Sequence, residues 1–199
     1  MGKAKIVSSS CIKKRSRRSA NIKHTNTTDR RIIFTVGHST RDIDDFISLM
    51  KEYGVNYVVD VRTIPRSKHN PQFNSDYLKN ALAKNSISYE NIKELGGLRK
   101  PNKDSINTFW KNNSFKGFAD YMQTEDFKEG LDHLIDVSAK RTIAIMCAEI
   151  LPWRCHRSLI ADALTAKGFT VKHIIDHNEI LEHKTNKHAT KHLGSLIYK

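Results

Sequence analysis

Two short stretches, residues 55–61 and 142–146, are apolar almost without interruption. They lack the in–out alternation of a strand with one wet face. Each therefore predicts a strand covered on both sides, as in parallel sheets. Parallel neighbours need long crossovers, usually helices, and the chain supplies them. Residues 32–36 form a β-rich run that ends in Gly37-His38-Ser39. Ser39, with Asp42 three residues on, resembles a capping box that would open a first helix. In that helix Ile43, Phe46, Ile47, Met50 and Tyr53 recur at spacings of three and four, and Gly54 closes it. Residues 87–89 and 169–175 read as further strands. Residues 75–85, 115–139 and 155–167 read as helices. Pro65 and Pro71 make 63–74 a loop, and Leu95-Gly96-Gly97 opens another. The order β-α-β-α-β-α-α-β-α-β predicts an α/β fold. The expectation is a single three-layer Rossmann-like domain over 32–181, with a mainly parallel sheet of about five strands.

Composition enters through charge. The 199 residues carry 34 Lys+Arg against 21 Asp+Glu, a formal +13. Ten of the basic residues and one acid, Asp29, fall within residues 1–31. That stretch has too little apolar surface to offset its ordering entropy, so it reads as a disordered basic extension. Residues 182–199 hold four Lys, one Glu and the histidines His183, His188 and His192, and read as a loose basic tail. The middle is nearly neutral. No run is long and apolar enough for a transmembrane helix, and no apolar stretch follows the N-terminal charges as a secretory signal requires. Three cysteines, Cys11, Cys147 and Cys155, make no disulfide framework, so a reducing cytoplasm is the expected location.

In open α/β sheets, ligands bind outside the carboxyl ends of the strands. Three such ends carry reactive side chains here. Strand one ends in Gly37-His38-Ser39, strand two in Asp60-Val61-Arg62, and the central strand in Cys147-Ala148-Glu149. The following helix begins Cys155-His156-Arg157. A helix N-terminus favours anions and lowers the pKa of a cysteine placed there, so Cys155 is a candidate nucleophile. Glu149 and Asp60 are candidate general acid–base residues, with His38 or His156 assisting. Arg62 and Arg157 offer bidentate contacts to a phosphate or carboxylate. Ser39, Arg66, Gly96 and Gly97 complete the expected ligand-binding set. Arg66, Lys68, His69, Arg99, Lys100 and Lys103 would rim the crevice, and Trp153 offers a stacking surface.

Plainer readings compete. Asp60 and Arg62 would also serve as an ion pair, Glu149 and Arg157 as a bridge, and Cys147 as a small core residue. Two sharper ideas fit poorly. Cys147 and Arg154 are separated by six residues, where the cysteine-phosphatase loop has five, and the segment has no glycine. Cys147, Cys155, His156 and His38 match no standard zinc spacing. The sequence marks no residue as a metal ligand and specifies no cofactor.

Taken in order, these residues resemble the bacterial and archaeal family known as domain of unknown function 488. The resemblance covers about residues 32–176. It rests on Gly37-His38-Ser39, Asp60-Val61-Arg62, Pro65 and Ser67 followed by Phe73, Leu95-Gly96-Gly97, Cys147-Ala148-Glu149, Cys155-His156-Arg157, and Val171-Lys172-His173-Ile174. It implies a compact α/β domain with one shared site and specifies no reaction. The chemistry of the strand ends supplies the functional expectation. That expectation is an enzyme, a hydrolase or transferase, acting on a phosphate-bearing nucleotide or nucleic acid. The rival is a non-catalytic nucleotide- or nucleic-acid-binding module with basic tails.

Overall fold

The computed structural model describes residues 32–199, so the expected disorder of residues 1–31 lies outside the described residues. Five parallel strands form the body of the sheet. They are β1 (Ile32–Gly37), β2 (Tyr57–Asp60), β3 (Ser88–Asn91), β4 (Ile143–Cys147) and β5 (Thr170–Asp176). A sixth strand, β6 (Glu179–Glu182), runs antiparallel to β5, and the order across the sheet is β3-β2-β4-β1-β5-β6. The expectation of about five strands therefore misses one. All four residues of β6 are exposed, so burial wrote no pattern into them.

The crossovers are α1 (Ile43–Glu52), α2 (Ser75–Ala83), α3 (Asn113–Tyr121), α4 (Glu125–Ser138) and α5 (Arg157–Ala166). Both faces of the sheet are covered, as the unbroken apolar runs require. Along β4, Ala144 and Met146 join Phe46, Leu49 and Met50 of α1 and Leu78 and Leu82 of α2 in one core. Ile143, Ile145 and Cys147 join Phe118 of α3, Leu131 and Leu134 of α4, and Leu159 and Ile160 of α5 in the other. Among the described residues, no helix is long and apolar enough to cross a membrane.

Two local expectations are corrected. Ser39 does not cap α1. It has φ 48°, and the N-cap is Asp42, whose side chain makes no capping bond. The stretch 182–199 is not a loose tail. After β6 it forms a hairpin of β7 (Ala189–His192) and β8 (Ser195–Tyr198). Leu193 and Gly194 turn it with positive φ at both positions, as two-residue hairpins prefer. Leu196, Ile197 and Tyr198 are buried in the body of the protein. The Tyr198 hydroxyl donates to Asp162 of α5 at 2.9 Å, and Gln123 donates to the Leu196 carbonyl at 2.7 Å. Lys191 and His192 of β7, directly before the turn, mask this short apolar strand in the sequence.

Strand register brings the reactive ends level. Gly37 lies beside Cys147, and Asp60 beside Met146. Gly37 has to be glycine, because a Cβ there would run into the backbone of Glu149 and Ile150.

Candidate functional site

A cavity of about 380 Å³ opens at this edge of the sheet. Among the predicted site residues, His38, Arg62, Arg66, Gly97, Glu149, Cys155 and His156 line it. Asp60, Ser39, Gly96 and Arg157 do not. Each of these four is committed elsewhere.

Asp60 is fully buried. It accepts from the Arg62 backbone N–H at 3.0 Å, from the Arg62 guanidinium at 2.6–3.1 Å, and from the Tyr89 hydroxyl at 2.7 Å. Its lone pairs are filled, so it acts as a charge partner and not as an exchangeable acid–base group. Arg62 also donates to the Phe73 carbonyl, which leaves only its remaining amino group towards the cavity. That group lies 3.2 Å from His38 Nε2. Because the guanidinium can only donate, Nε2 accepts, and the His38 proton sits on Nδ1 and goes to the Ser39 carbonyl at 2.8 Å. Ser39 thus orients His38 and takes no part in the cavity. His38 stacks on Phe73 with ring centroids 4.1 Å apart. Burial holds its pKa down to about 4.

Gly96 is buried against Thr63, whose side chain leaves no room for a Cβ. Gly97 is equally constrained, because a Cβ would strike the His156 ring. His156 Nε2 faces the Val61 carbonyl at 3.0 Å and must donate there. Nδ1 therefore presents a lone pair to Cys155 Sγ, 3.5 Å away. Burial lowers the His156 pKa, which keeps the ring neutral.

Arg157, the first residue of α5, is fully buried. Its guanidinium donates to Cys147 Sγ at 3.0 Å, to Thr35 Oγ1 at 3.0 Å, and to the carbonyls of Glu149 and Ile150. The expected Glu149–Arg157 contact is thus made through the Glu149 backbone. The Glu149 carboxylate accepts from the Leu151 N–H and lines the cavity. Thr35 accepts from Arg157, so its hydroxyl donates to His173 at 2.8 Å. The donation continues to His183 at 2.9 Å and from His183 to Asp162 at 2.9 Å. One directed chain of hydrogen bonds therefore joins Arg157 to the carboxylate that also holds Tyr198.

Cys147 and Cys155 meet beneath the cavity with Sγ atoms 2.8 Å apart. Burial pushes the Cys147 thiol up. Cys155 is pushed down to about 6 by the hydrogen bond from Cys147, helped by the Arg157 charge and backbone N–H. The pair thus favours one proton on Cys147 and a thiolate at Cys155. The residues weighed as zinc ligands are engaged with one another and with carbonyls. Among the described residues, no group of three or more His, Cys, Asp or Glu is placed to hold a metal.

The rim differs from the expected one. Arg66 and Arg154 are exposed and line the cavity, and neither makes an ion pair among the described residues. Arg99 instead covers the Tyr121 ring at 3.5 Å and bonds the Gly96 carbonyl. Lys68, His69, Lys100, Lys103 and Trp153 are not among the lining residues. Ser114 and Phe115, in the first turn of α3, do line the cavity. Nothing in their immediate sequence marks them. Asn112, whose side chain caps α3, was the only local signal that a helix terminus lay there.

The buried histidines set a pH dependence. His38 titrates at about 4 and His173 at about 3, both held down by burial, and His156 is lowered as well. The unfolded chain binds these protons near the ordinary histidine value of about 6.5. Stability is therefore fully present above that value and falls with pH below it. The limiting loss is about 1.4 kcal/mol per pH unit for each histidine. His177, on the surface, is raised by Glu52 and Asp45 and works weakly in the opposite sense. Urea unfolding at about pH 7 and about pH 5 is expected to show a clearly lower midpoint at the acid value. An unchanged midpoint would contradict buried neutral rings.

No curated protein and no solved structure matches the chain. One family model does, over residues 42–164, which is more than half of the sequence. This span holds Asp60-Val61-Arg62, Leu95-Gly96-Gly97, Cys147-Ala148-Glu149 and Cys155-His156-Arg157. The chain belongs to the family described as Domain of unknown function DUF488.

Proposed function

We propose that the cavity is the active site of an enzyme that uses the Cys155 thiolate as a nucleophile on a phosphate-bearing ligand, a nucleotide or nucleic acid. The observation that carries this reading is the placement of Cys155 Sγ. It lies in the cavity wall, 3.5 Å from the Arg157 N–H, with the Arg157 guanidinium on the adjoining Cys147 sulfur. A thiolate held by a helix-terminal N–H and a neighbouring cation is the reactive form of cysteine. Arg66 and Arg154 supply the anion rim, because Arg62 and Arg157 are already occupied. Ser114, in the first turn of α3, adds a hydroxyl to the wall. Glu149 is the carboxylate in the wall best placed to move protons. The Gly97 backbone lies over the His156 ring and holds it in the orientation that faces sulfur.

Iodoacetamide alkylation of the intact, reduced protein, read at Cys155 by mass across pH, tests the reading. The midpoint is expected near pH 6, with protection by inorganic phosphate or mononucleotides. Arg66→Gln and Arg154→Gln are each expected to weaken that protection by about tenfold, the loss of one charge-assisted contact of about 1.4 kcal/mol. Reactive Cys155 with no protection by any phosphate compound would remove the anion from the proposal. An inert Cys155 would remove the nucleophile, and a non-catalytic binding module would then be the better account.

A further inference from the structure

The proposed reaction leaves one buried thiol unused. Cys147 ends β4, where it is fixed by pairing with β1, and it is 3% exposed. Cys155 is fixed on the other side by the turn Pro152–Arg154, whose Pro152 carbonyl accepts the Cys155 N–H at 3.0 Å. These separate restraints hold the two sulfurs 2.8 Å apart. A disulfide bond measures about 2.05 Å, so less than about 1 Å of movement would close one.

We propose that Cys155 and Cys147 form a two-electron redox centre in which a hydroperoxide oxidises Cys155 and Cys147 captures the product as an intramolecular disulfide. In the first step the Cys155 thiolate attacks one peroxide oxygen. An S–O bond forms, the O–O bond breaks, and hydroxide leaves when the peroxide is hydrogen peroxide. Sulfur is oxidised to the sulfenic acid and the peroxide is reduced. In the second step the Cys147 sulfur attacks the sulfenic sulfur. The S–S bond forms, the S–OH bond breaks, and the hydroxyl leaves with the Cys147 proton as water. A small dithiol returns both residues to thiols by exchange. Cys147 is in contact with the sulfenic acid as it forms, so capture precedes a second oxidation.

The surroundings favour reversal. Arg157 donates to Cys147 Sγ and its backbone N–H faces Cys155. These contacts stabilise sulfur anion in the reduced form, and the disulfide has none. A couple whose reduced form is so stabilised is readily reduced again. The step shares the Cys155 thiolate with the function proposed above but needs neither the arginine rim nor a phosphate-bearing ligand.

The test uses the full chain with Cys11→Ser, so that two thiols remain. A few equivalents of hydrogen peroxide should abolish both thiols in a colorimetric count and remove two hydrogen masses. A proteolytic peptide linking Cys147 to Cys155 should appear, and dithiothreitol should restore both thiols. In Cys147→Ser, dimedone should trap Cys155 as the sulfenic acid, and without dimedone excess peroxide should carry it on to the sulfinic acid. In Cys155→Ser, oxidation of Cys147 should slow at least tenfold. Circular dichroism checks that both variants fold. Peroxide that carries Cys155 to the sulfinic acid while Cys147 is intact, or that leaves both thiols unchanged, would overturn the inference. If iodoacetamide still modifies Cys155 in that protein, only the redox step fails. If iodoacetamide also finds Cys155 inert, the nucleophile of the proposed function fails with it.

Discussion

Arg157→Leu is expected to destabilise the protein by about 3–5 kcal/mol, the usual range when one member of a buried charged network is removed. The guanidinium ties two paired strands to the loop that follows β4. Thr35 belongs to β1, Cys147 to β4, and the Glu149 and Ile150 carbonyls to the loop that leads to Cys155. Without it, the two carbonyls lose charged donors, and a buried unsatisfied acceptor costs about 1–3 kcal/mol. Leucine has similar bulk, so cavity formation is a minor part of the loss. The same change removes the cation beside the sulfur pair. The pH midpoint for Cys155 alkylation should therefore move up from about 6 towards the ordinary thiol range. Urea unfolding reads the first effect and mass spectrometry of the alkylated protein the second. A variant of wild-type stability would show that the contacts are incidental. A variant that loses stability but keeps the low midpoint would assign Arg157 to the fold alone.

Asp60→Ala is expected to cost a similar amount for the opposite reason, because it strands the Arg62 cation in a site where the side chain is 8% exposed. The Tyr89 hydroxyl would lose its acceptor in the same step. The informative comparison is the double variant Asp60→Ala with Arg62→Met. If the single change is costly because a charge is left unpaired, removing that charge should recover more than about 1 kcal/mol of urea stability. If the double variant is as unstable as the sum of its parts, shape and not charge governs this corner. The double variant should leave the alkylation midpoint of Cys155 nearly unchanged, since neither residue touches either sulfur.

The sheet was legible because burial on both faces writes itself into composition. Most strand positions in residues 55–61 and 142–146 are covered on both faces, so their nearly continuous apolar runs mark β2 and β4 directly, and the one buried carboxylate among them, Asp60, is paired with Arg62. The edges left no such mark. β6 is exposed throughout, and β7 is Ala-Thr-Lys-His with three of four residues exposed, so the C-terminal hairpin carries no strand pattern before β8. In the site, spacing identified the right segments but not the right rotations. Cys155, His156 and Arg157 are consecutive, yet Arg157 goes to the core while its two neighbours face the cavity. The helix begins at Arg157, two residues later than the periodicity suggests, and that offset decides which side chain is buried. Arg66 was legible as a cation after β2. Ser114 and Phe115 were not, because only the tertiary fold brings α3 to the strand ends.

The placement of β1 has a consequence for how the protein is made. β1 leads the described chain but lies inside the sheet, between β4 and β5. Phe34 pairs with Ala144 on one side and Lys172 on the other. Both partners are translated long after it. During synthesis β1 therefore waits as an apolar segment with two open edges, a state prone to association with other chains. Its contacts are among the longest in sequence that a domain of this size can make, which places the fold among slow-folding topologies. The sulfur pair inherits that delay: Cys147 cannot be set beside Cys155 by a finished sheet until the earliest strand has found neighbours made near the end.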